Sequence, residues 1–260
     1  MRIAFGIEYD GAPFLGWQSQ PGGGTVQDAV EAAIARIAGV PIRIACAGRT
    51  DTGVHALAQV AHFDCEAGRP ESAWVKGVNS HLPHGVAIQW ALQVPDDFHA
   101  RFCATGRRYD YLLLNRSTRP AVGHGRIGWF HLPLDVDRMR DAAACLVGSH
   151  DFSALRSAQC QAASPVRELR RLEVARRNDV IQFTFEANGF LHHMVRNIVG
   201  CLVYVGKGKY SPQWLCDVLA GRDRALAAPT FAAHGLYLTQ VAYDPKWNLP
   251  QFGPSAFFPV

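Results

Sequence analysis

Two apolar runs of strand length, residues 42–46 and 58–63, flank the stretch Ala47-Gly48-Arg49-Thr50-Asp51-Thr52-Gly53-Val54-His55. No other feature constrains the chain as much. Short apolar runs bounded by turn formers read as strands, so the stretch between them reads as a loop. Glycines 48 and 53 let its backbone take positive φ or pass close to a ligand. The loop presents one carboxylate, Asp51, two residues after Arg49. A nearby cation favours the ionised form of a carboxylate. An ionised carboxylate on a rigid loop can act as nucleophile or base. The plain alternative is a turn carrying one solvated aspartate, because Gly, Thr and Asp are ordinary turn residues.

The rest of the chain arranges itself around this loop in two similar halves. Residues 2–9 read as a strand, followed by a long glycine-rich loop holding Phe14 and Trp17. Thr25 is an N-cap candidate with Asp28 in the first turn. Val26, Val30, Ile34 and Ile37 recur at helical spacing before Gly39. A second helix is expected at 71–80 and a strand at 86–94. That order, βαββαβ, is the ferredoxin-like or split-βαβ unit. After a joining segment at 95–101, a strand is expected at 107–115. A helix follows over 136–147, with Asp135 as N-cap and Gly148 as C-cap. A hairpin spans 167–176 and 180–187, turning at Asn178-Asp179. Helices over 190–205 and from Ser211-Pro212 to Gly221 and a strand at 236–243 complete the second half. The expected architecture is α+β. It has two ferredoxin-like subdomains, 1–103 and 104–260, side by side, with mainly antiparallel sheets around a central basic cleft.

A chain of 260 residues can bury a core of that size. Hydrophobic residues make up 48% and charged residues 18%, an ordinary balance for a folded soluble protein. No apolar run is long enough to span a membrane, and Met1-Arg2-Ile3-Ala4-Phe5 continues as a strand without a cleavage-site pattern. Seven cysteines, with no C-x-x-C pair, argue against a disulfide framework or a zinc ribbon. These features point to a cytoplasmic protein. Net charge is only +4, and the cations are nearly all arginine, with lysine at 76, 207, 209 and 246 alone. Arginines cluster at 107–108, 167–171 and 176–177, which are candidate contacts for a nucleic-acid backbone. A solvated strand face would explain the same clusters.

Two further stretches carry more polar residues than packing requires. In Arg107-Arg108-Tyr109-Asp110-Tyr111, an extended strand puts both tyrosines on one face and Arg108 and Asp110 on the other. A tyrosine among arginines suits base stacking, or it is a buried strand tyrosine. In Asn188-Gly189-Phe190-Leu191-His192-His193-Met194-Val195-Arg196-Asn197, Arg196 lies beside the apolar positions of a mostly buried helix. A buried arginine wants a carboxylate partner, and Asp51 is a candidate. His192 and His193 are adjacent, so they point apart on a helix, and no metal site is expected. Asp51-Thr52-Gly53 is also the D-T-G triplet of aspartic proteases, in which two carboxylates share a proton. One triplet would demand a dimer, Arg49 would suppress the shared proton, and the helices have no place in that fold.

Taken together, the motifs resemble the TruA-type tRNA pseudouridine synthases. The resemblance rests on Gly48-Arg49-Thr50-Asp51 with Gly53-Val54-His55-Ala56, and on Glu8-Tyr9-Asp10-Gly11, Gly16-Trp17-Gln18 and Gly77-Val78-Asn79. It continues through Asp97-Phe98-His99-Ala100-Arg101-Phe102, Ala104-Thr105-Gly106-Arg107-Arg108-Tyr109, the run His193 to Gly200, and Gly235-Leu236-Tyr237-Leu238. One departure is Thr52, where the family usually has Ala. The resemblance implies the pseudouridine synthase fold and conversion of uridines 38, 39 and 40 of the tRNA anticodon arm to pseudouridine. It implies a homodimer and no cofactor or metal. Asp51 would be the catalytic nucleophile, Arg196 the ion-pair partner that holds it, and Arg49 a contact to the RNA near the flipped nucleotide. Tyr109 would stack on the target base, with Arg107, Arg108 and His55 also binding substrate. Whether the carboxylate adds to C6 of uracil, attacks C1′ or abstracts a ribose proton stays open. A second class, an RNA-binding module of two RRM-like units, has no use for an anion in a basic cleft, and the aromatic RNP1 pattern is missing.

Overall fold

A computed structural model describes residues 1–250. Its strands are β1 (Arg2–Tyr9), β2 (Ala45–Cys46), β3 (His55–Asp64), β4 (Val86–Val94), β5 (Ala104–Asn115), β6 (Gly128–Phe130), β7 (Gly148–Asp151), β8 (Val166–Arg177), β9 (Val180–Ala187) and β10 (Leu236–Tyr243). Its helices are α1 (Val26–Ala38), α2 (Val136–Ala144), α3 (Met194–Gly206) and α4 (Pro212–Gly221). The architecture is α+β, and the chain divides into two compact units. One is Met1–Thr105 together with the segment from Tyr237 on; the other is Gly106–Leu236. Among the described residues no helix is long and apolar enough to cross a membrane.

In the first unit β1 is the middle strand, antiparallel to both β3 and β4. Successive side chains of a strand point to opposite faces, and β1 is apolar on both. Phe5 meets Phe63 edge-on at 5.6 Å, and Phe63 meets Trp74 at 5.2 Å. Ala4, on the other face, joins Val60, Trp90, Phe98 and Trp247 in a second buried cluster. Thr25 caps α1 as expected. Its hydroxyl accepts from the Asp28 amide, the Asp28 carboxylate accepts from the Thr25 amide, and Gly39 ends the helix at φ 77°. The second expected helix is present over 71–79, but Ala73–Gly77 is wound as a π-helix around the buried Trp74. The strand expected at 42–46 shrinks to β2, two residues paired with β3.

The last strand corrects the expected domain division. β10 lies parallel to β3, Tyr237 opposite His55, and so belongs to the first unit and not to 104–260. Tyr243 anchors it: its ring packs on Phe98 at 5.4 Å and its hydroxyl donates to the Ala100 carbonyl at 2.6 Å. Strand-like alternation over 236–243 identifies a strand but not the sheet that receives it. The final ten residues of the expected second domain, 251–260, lie outside the described residues.

The second unit is built on the antiparallel run β5-β9-β8-β7, with β6 parallel to β5. α3 is buried along most of its length. It starts at Met194 and not at 190, because His193 takes the left-handed conformation, φ 64°. The rings of His192 and His193 therefore lie 4.0 Å apart, instead of pointing away from each other as they would on a helix. β6 and β7 were not expected. β7, Gly148-Ser149-His150-Asp151, has no apolar alternation and owes its strand form to pairing with the edge of β8. Gly148, expected as the C-cap of α2, begins this strand at φ 120°. Asp135 does cap α2, accepting from the amides of Asp137 and Arg138.

The seven cysteines form no disulfide framework, but Cys145 and Cys216 form one disulfide between the end of α2 and the middle of α4, with Cα atoms 5.9 Å apart. The bond closes a loop of sequence separation 71. Loop-closure entropy of that size is worth about 4 kcal/mol. Reduction with a phosphine should therefore lower Tm by roughly 10 °C. The Cys145→Ser/Cys216→Ser double variant should melt at the lower temperature and ignore the reductant. An unchanged Tm on reduction would show that the bond adds nothing to stability.

His62, on β3, gives the first unit a pH dependence. It is 5% exposed, its Nδ1 accepts from the Ala100 amide at 3.2 Å, and the His99 ring lies 4.6 Å away. Burial, with smaller contributions from His99 and Arg2, pushes its pKa down to about 4. The unfolded chain then takes up the proton at higher pH than the folded one. This contribution is complete above the ordinary histidine value of about 6.5 and is lost as pH falls towards 4, up to ~3 kcal/mol in all. Urea midpoints measured from pH 8 to 4 should fall in that window, and His62→Gln should flatten the fall. An equally steep profile in the variant would assign the effect elsewhere.

Candidate active site

Eight residues of irregular backbone, 47–54, link β2 to β3 and carry Asp51. A loop packed this closely must find partners for its peptide groups. Gln59 supplies two: its Nε2 donates to the Gly48 carbonyl at 2.6 Å and its Oε1 accepts from the Gly48 amide at 3.3 Å. Gln59 is fully buried, a polar residue inside an apolar strand, and that mismatch was the sequence signal for its role. The Trp17 amide donates to the Thr50 carbonyl at 3.0 Å. Thr50 is buried, and its hydroxyl lies 2.7 Å from the Tyr9 hydroxyl. Within the loop, the Val54 amide closes a turn onto the Asp51 carbonyl at 3.1 Å, and Gly53 takes φ 77°. Gly48 does not use the positive-φ freedom expected of it.

The glycine-rich loop before α1 is the second half of this scaffold. Gly16 takes φ 88°, and a Cβ there would stand 2.9 Å from the Thr50 carbonyl oxygen and 3.2 Å from the Asp51 carbonyl carbon. Gly11 approaches the Val54 carbonyl closer still. Trp17 is 1% exposed and its ring packs on Tyr9 at 5.7 Å. Of the two aromatics expected to pack or stack, Trp17 packs.

The sequence-predicted residues of the first unit fall in distinct places. Asp51 is half-buried and Arg49 is exposed. Among the described residues, Arg49 makes no hydrogen bond and has no carboxylate partner. Thr52, the residue that creates the D-T-G triplet, is exposed. His55 is 2% exposed and lies beneath the loop. Its Nδ1 is 3.0 Å from the Gly11 amide and 3.1 Å from the Asp10 carboxylate, and its ring stacks on Tyr237 at 4.6 Å. This is the setting of a scaffold residue and not of a surface contact.

In the second unit the predicted alternation of β5 holds. Tyr109 is 8% exposed and meets Phe190 edge-on at 5.1 Å. Tyr111, on the same face, is fully buried and donates its hydroxyl to the Ala232 carbonyl. Burial raises its pKa, against the nearby Arg196 charge. On the opposite face Asp110 is 2% exposed and accepts from Thr184 at 2.6 Å, Gln182 at 2.9 Å and Arg108 at 3.1 Å. Arg108 also lies 3.8 Å from Glu186. Its charge is thus matched by carboxylates, which differs from the role of an RNA contact. Arg107 is half-buried and donates to the Asn188 carbonyl at 3.1 Å. Arg196 sits in the first turn of α3 and donates Nε–H to the Phe231 carbonyl at 2.9 Å, while the Phe231 amide donates back to the Arg196 carbonyl. Asn197, which sequence reasoning passed over, is fully buried: it donates to the Leu155 carbonyl and accepts from the Thr230 hydroxyl.

The glycine contacts give a direct test of the scaffold. Gly16→Ala should cost at least ~1–2 kcal/mol, since it combines a left-handed φ with a steric clash. It should also speed hydrogen exchange across 47–54. Gly22→Ala, which meets nothing within 4 Å, should be neutral. Equal effects of the two would mean that the approach of the loops is not what holds residues 47–54.

A family model described as tRNA pseudouridine synthase matches residues 7–103 and 142–244. The tRNA pseudouridine synthase A of Dechloromonas aromatica is 60% identical over 250 residues, covering 96% of this chain and 95% of that protein. That of Aromatoleum aromaticum is 59% identical over 253 residues, covering 97% and 96%. That of Thiobacillus denitrificans is 58% identical over 251 residues, covering 96% of each.

Proposed function

The chain belongs to the tRNA pseudouridine synthase family, and we propose that it isomerises uridine to pseudouridine at positions 38, 39 and 40 of the tRNA anticodon arm. The observation that carries this reading is the Asp51 loop. Its backbone is pinned by Gln59 at Gly48 and by Trp17 at Thr50, and an exposed arginine without a carboxylate partner stands two residues before the carboxylate. An aspartic protease would need a second such carboxylate, and a pure binding module needs none.

The reaction breaks the N1–C1′ bond, turns the uracil, and forms C5–C1′. The C5 hydrogen leaves as a proton and N1 gains one, so no redox partner or cofactor is needed. The target base must first leave the stack, at a cost of a few kcal/mol. In this reading Tyr109 offsets part of that cost by stacking on the base, and the edge contact from Phe190 fixes its ring. Asp51 is the catalytic carboxylate, acting as nucleophile at C6 or C1′ or as base at the ribose. Arg196 supplies the counter-charge that keeps it ionised, a requirement in any dry site. Arg49 contacts the RNA near the flipped nucleotide and Arg107 lies along its path, while Arg108, expected to bind substrate, instead holds Asp110. His55 acts from beneath, by positioning the loop. The enzyme works in the cytoplasm as a homodimer, without metal.

Tritium release from tRNA carrying C5-tritiated uridine tests the reading, because forming C5–C1′ must expel that hydrogen. The chain should release tritium, and Asp51→Ala should release none while binding tRNA with an affinity within a few-fold, since phosphate contacts come mainly from arginines. Release by the variant would remove Asp51 from the chemistry. No release by either protein would overturn the assigned reaction.

A further inference from the structure

The chain's few lysines are unevenly placed. Two of the four, Lys207 and Lys209, stand on the turn between α3 and α4. Three aromatic rings meet there: Tyr204 from α3, Tyr210 from the turn and Trp214 from α4. Tyr210 stacks on Trp214 with centroids 4.2 Å apart and lies 6.1 Å from Tyr204, all nearly parallel. The Lys207 ammonium sits 3.9 Å over the Tyr204 ring and 5.9 Å from Phe130. The Lys209 ammonium sits 4.6 Å from Tyr204 and 5.2 Å from Tyr210.

The turn itself is held from both sides. Gly208 takes φ 77°, the Lys209 amide donates to the Tyr204 carbonyl at 3.1 Å, and Arg138 of α2 donates to the Tyr210 carbonyl at 3.0 Å. The nearby carboxylates are engaged elsewhere. Asp135 caps α2, Asp137 pairs with Arg140, and Asp217 accepts from Gln213. Among the described residues neither lysine has a carboxylate partner.

We propose that Lys207 and Lys209 form a preorganised clamp for the phosphodiester backbone of the tRNA, outside the nucleotide that reacts. This rests on the tRNA-modifying function proposed above. Two ammonium groups without carboxylates are a surplus of positive charge that suits adjacent phosphates. A free lysine loses about 2 kcal/mol of rotamer entropy when fixed, and the ring contacts already confine both side chains, so phosphate binding loses less. A cation over one ring face keeps its remaining N–H donors for phosphate oxygens. The clamp is separate from the reaction chemistry. Lys207 follows the last residue of α3 and Arg196 is in its first turn, so at 1.5 Å per residue they stand about 16 Å apart along the axis.

The test is tRNA binding as a function of salt, beside single-turnover tritium release at saturating tRNA. Lys207→Gln/Lys209→Gln should weaken binding roughly 5- to 30-fold near 0.1 M salt. It should also reduce the slope of log K against log salt by about 1.4 to 2, with an unchanged single-turnover rate. Tyr204→Leu keeps both charges but frees the side chains, so it should weaken binding by a smaller factor with the wild-type slope. Unchanged affinity and slope in the double variant, with the wild type still modifying tRNA, would overturn the clamp alone. A shift in subunit association with unchanged affinity per site would overturn it in favour of a contact between copies of this chain. Failure of the wild type to bind or modify tRNA would overturn the isomerase reading on which the clamp rests.

Discussion

The first unit depends on the contact between two glycine-punctuated loops. Residues 47–54 must hold one carboxylate in place without a helix or a ladder to satisfy their peptide groups. The loop before α1 makes this possible by pressing backbone against backbone at Gly11 and Gly16, where any Cβ would collide with Val54 or Thr50. The closeness lets the Trp17 amide reach the Thr50 carbonyl and lets Tyr9 reach the Thr50 hydroxyl. β3 contributes from below through Gln59, a side chain that takes both the amide and the carbonyl of Gly48. A loop held this way at Gly48, Thr50 and Val54 has little freedom to lose when substrate arrives, which is how a site is preorganised. Packing, hydrogen bonding and the proposed chemistry are here one arrangement seen at three scales.

The second unit solves a different problem, the placing of charge inside a sheet. Asp110 is buried on the face of β5 opposite Tyr109, and a buried carboxylate is costly unless its oxygens are matched. Thr184, Gln182 and Arg108 match them, and all lie on β5 or β9. Because side chains alternate along a strand, this network fixes the register of β5 against β9 and thereby puts Tyr109 on the other face beside Phe190. The stacking role proposed for Tyr109 thus leans on polar residues that never share its face. Breaking the network would move the ring by freeing the register, even though no contact of the ring itself is touched.

How much of this could be read beforehand follows the physics of each signal. Capping at Thr25 and Asp135, the alternation in β5 and the strand character of β10 are local, and local patterns are carried by neighbouring residues. What stayed hidden depends on partners distant in sequence. β7 is a strand only because β8 offers an edge. β10 joins the first unit only because β3 pairs with it and because Ala100, 143 residues before Tyr243, accepts from that tyrosine's hydroxyl. The start of α3 moved because His193 takes a left-handed conformation that propensity does not foresee. That residues 47–54 form a loop was legible from turn formers lying between two apolar runs. His55, given a substrate-binding role only by the family resemblance, lies buried beneath the loop, a placement that no local sequence pattern discloses. The disulfide was missed for a related reason: cysteine spacing of 71 residues carries no signal until two helices bring the pair together.

The chain's cations differ in what surrounds them, which a net charge of +4 conceals. Arg2 meets Asp64 at 2.8 Å, Arg171 lies between Glu173 and Glu186, and Arg108 answers Asp110. These charges are matched within the fold and add little to the field felt by an approaching polyanion. Arg49, Lys207 and Lys209 have no such carboxylate among the described residues, so their fields reach solvent unopposed. Affinity for a phosphate backbone follows local excess and not the total. A mildly basic chain can therefore bind a highly charged RNA, provided that its carboxylates are spent on arginines that hold the structure while a few cations are left without them.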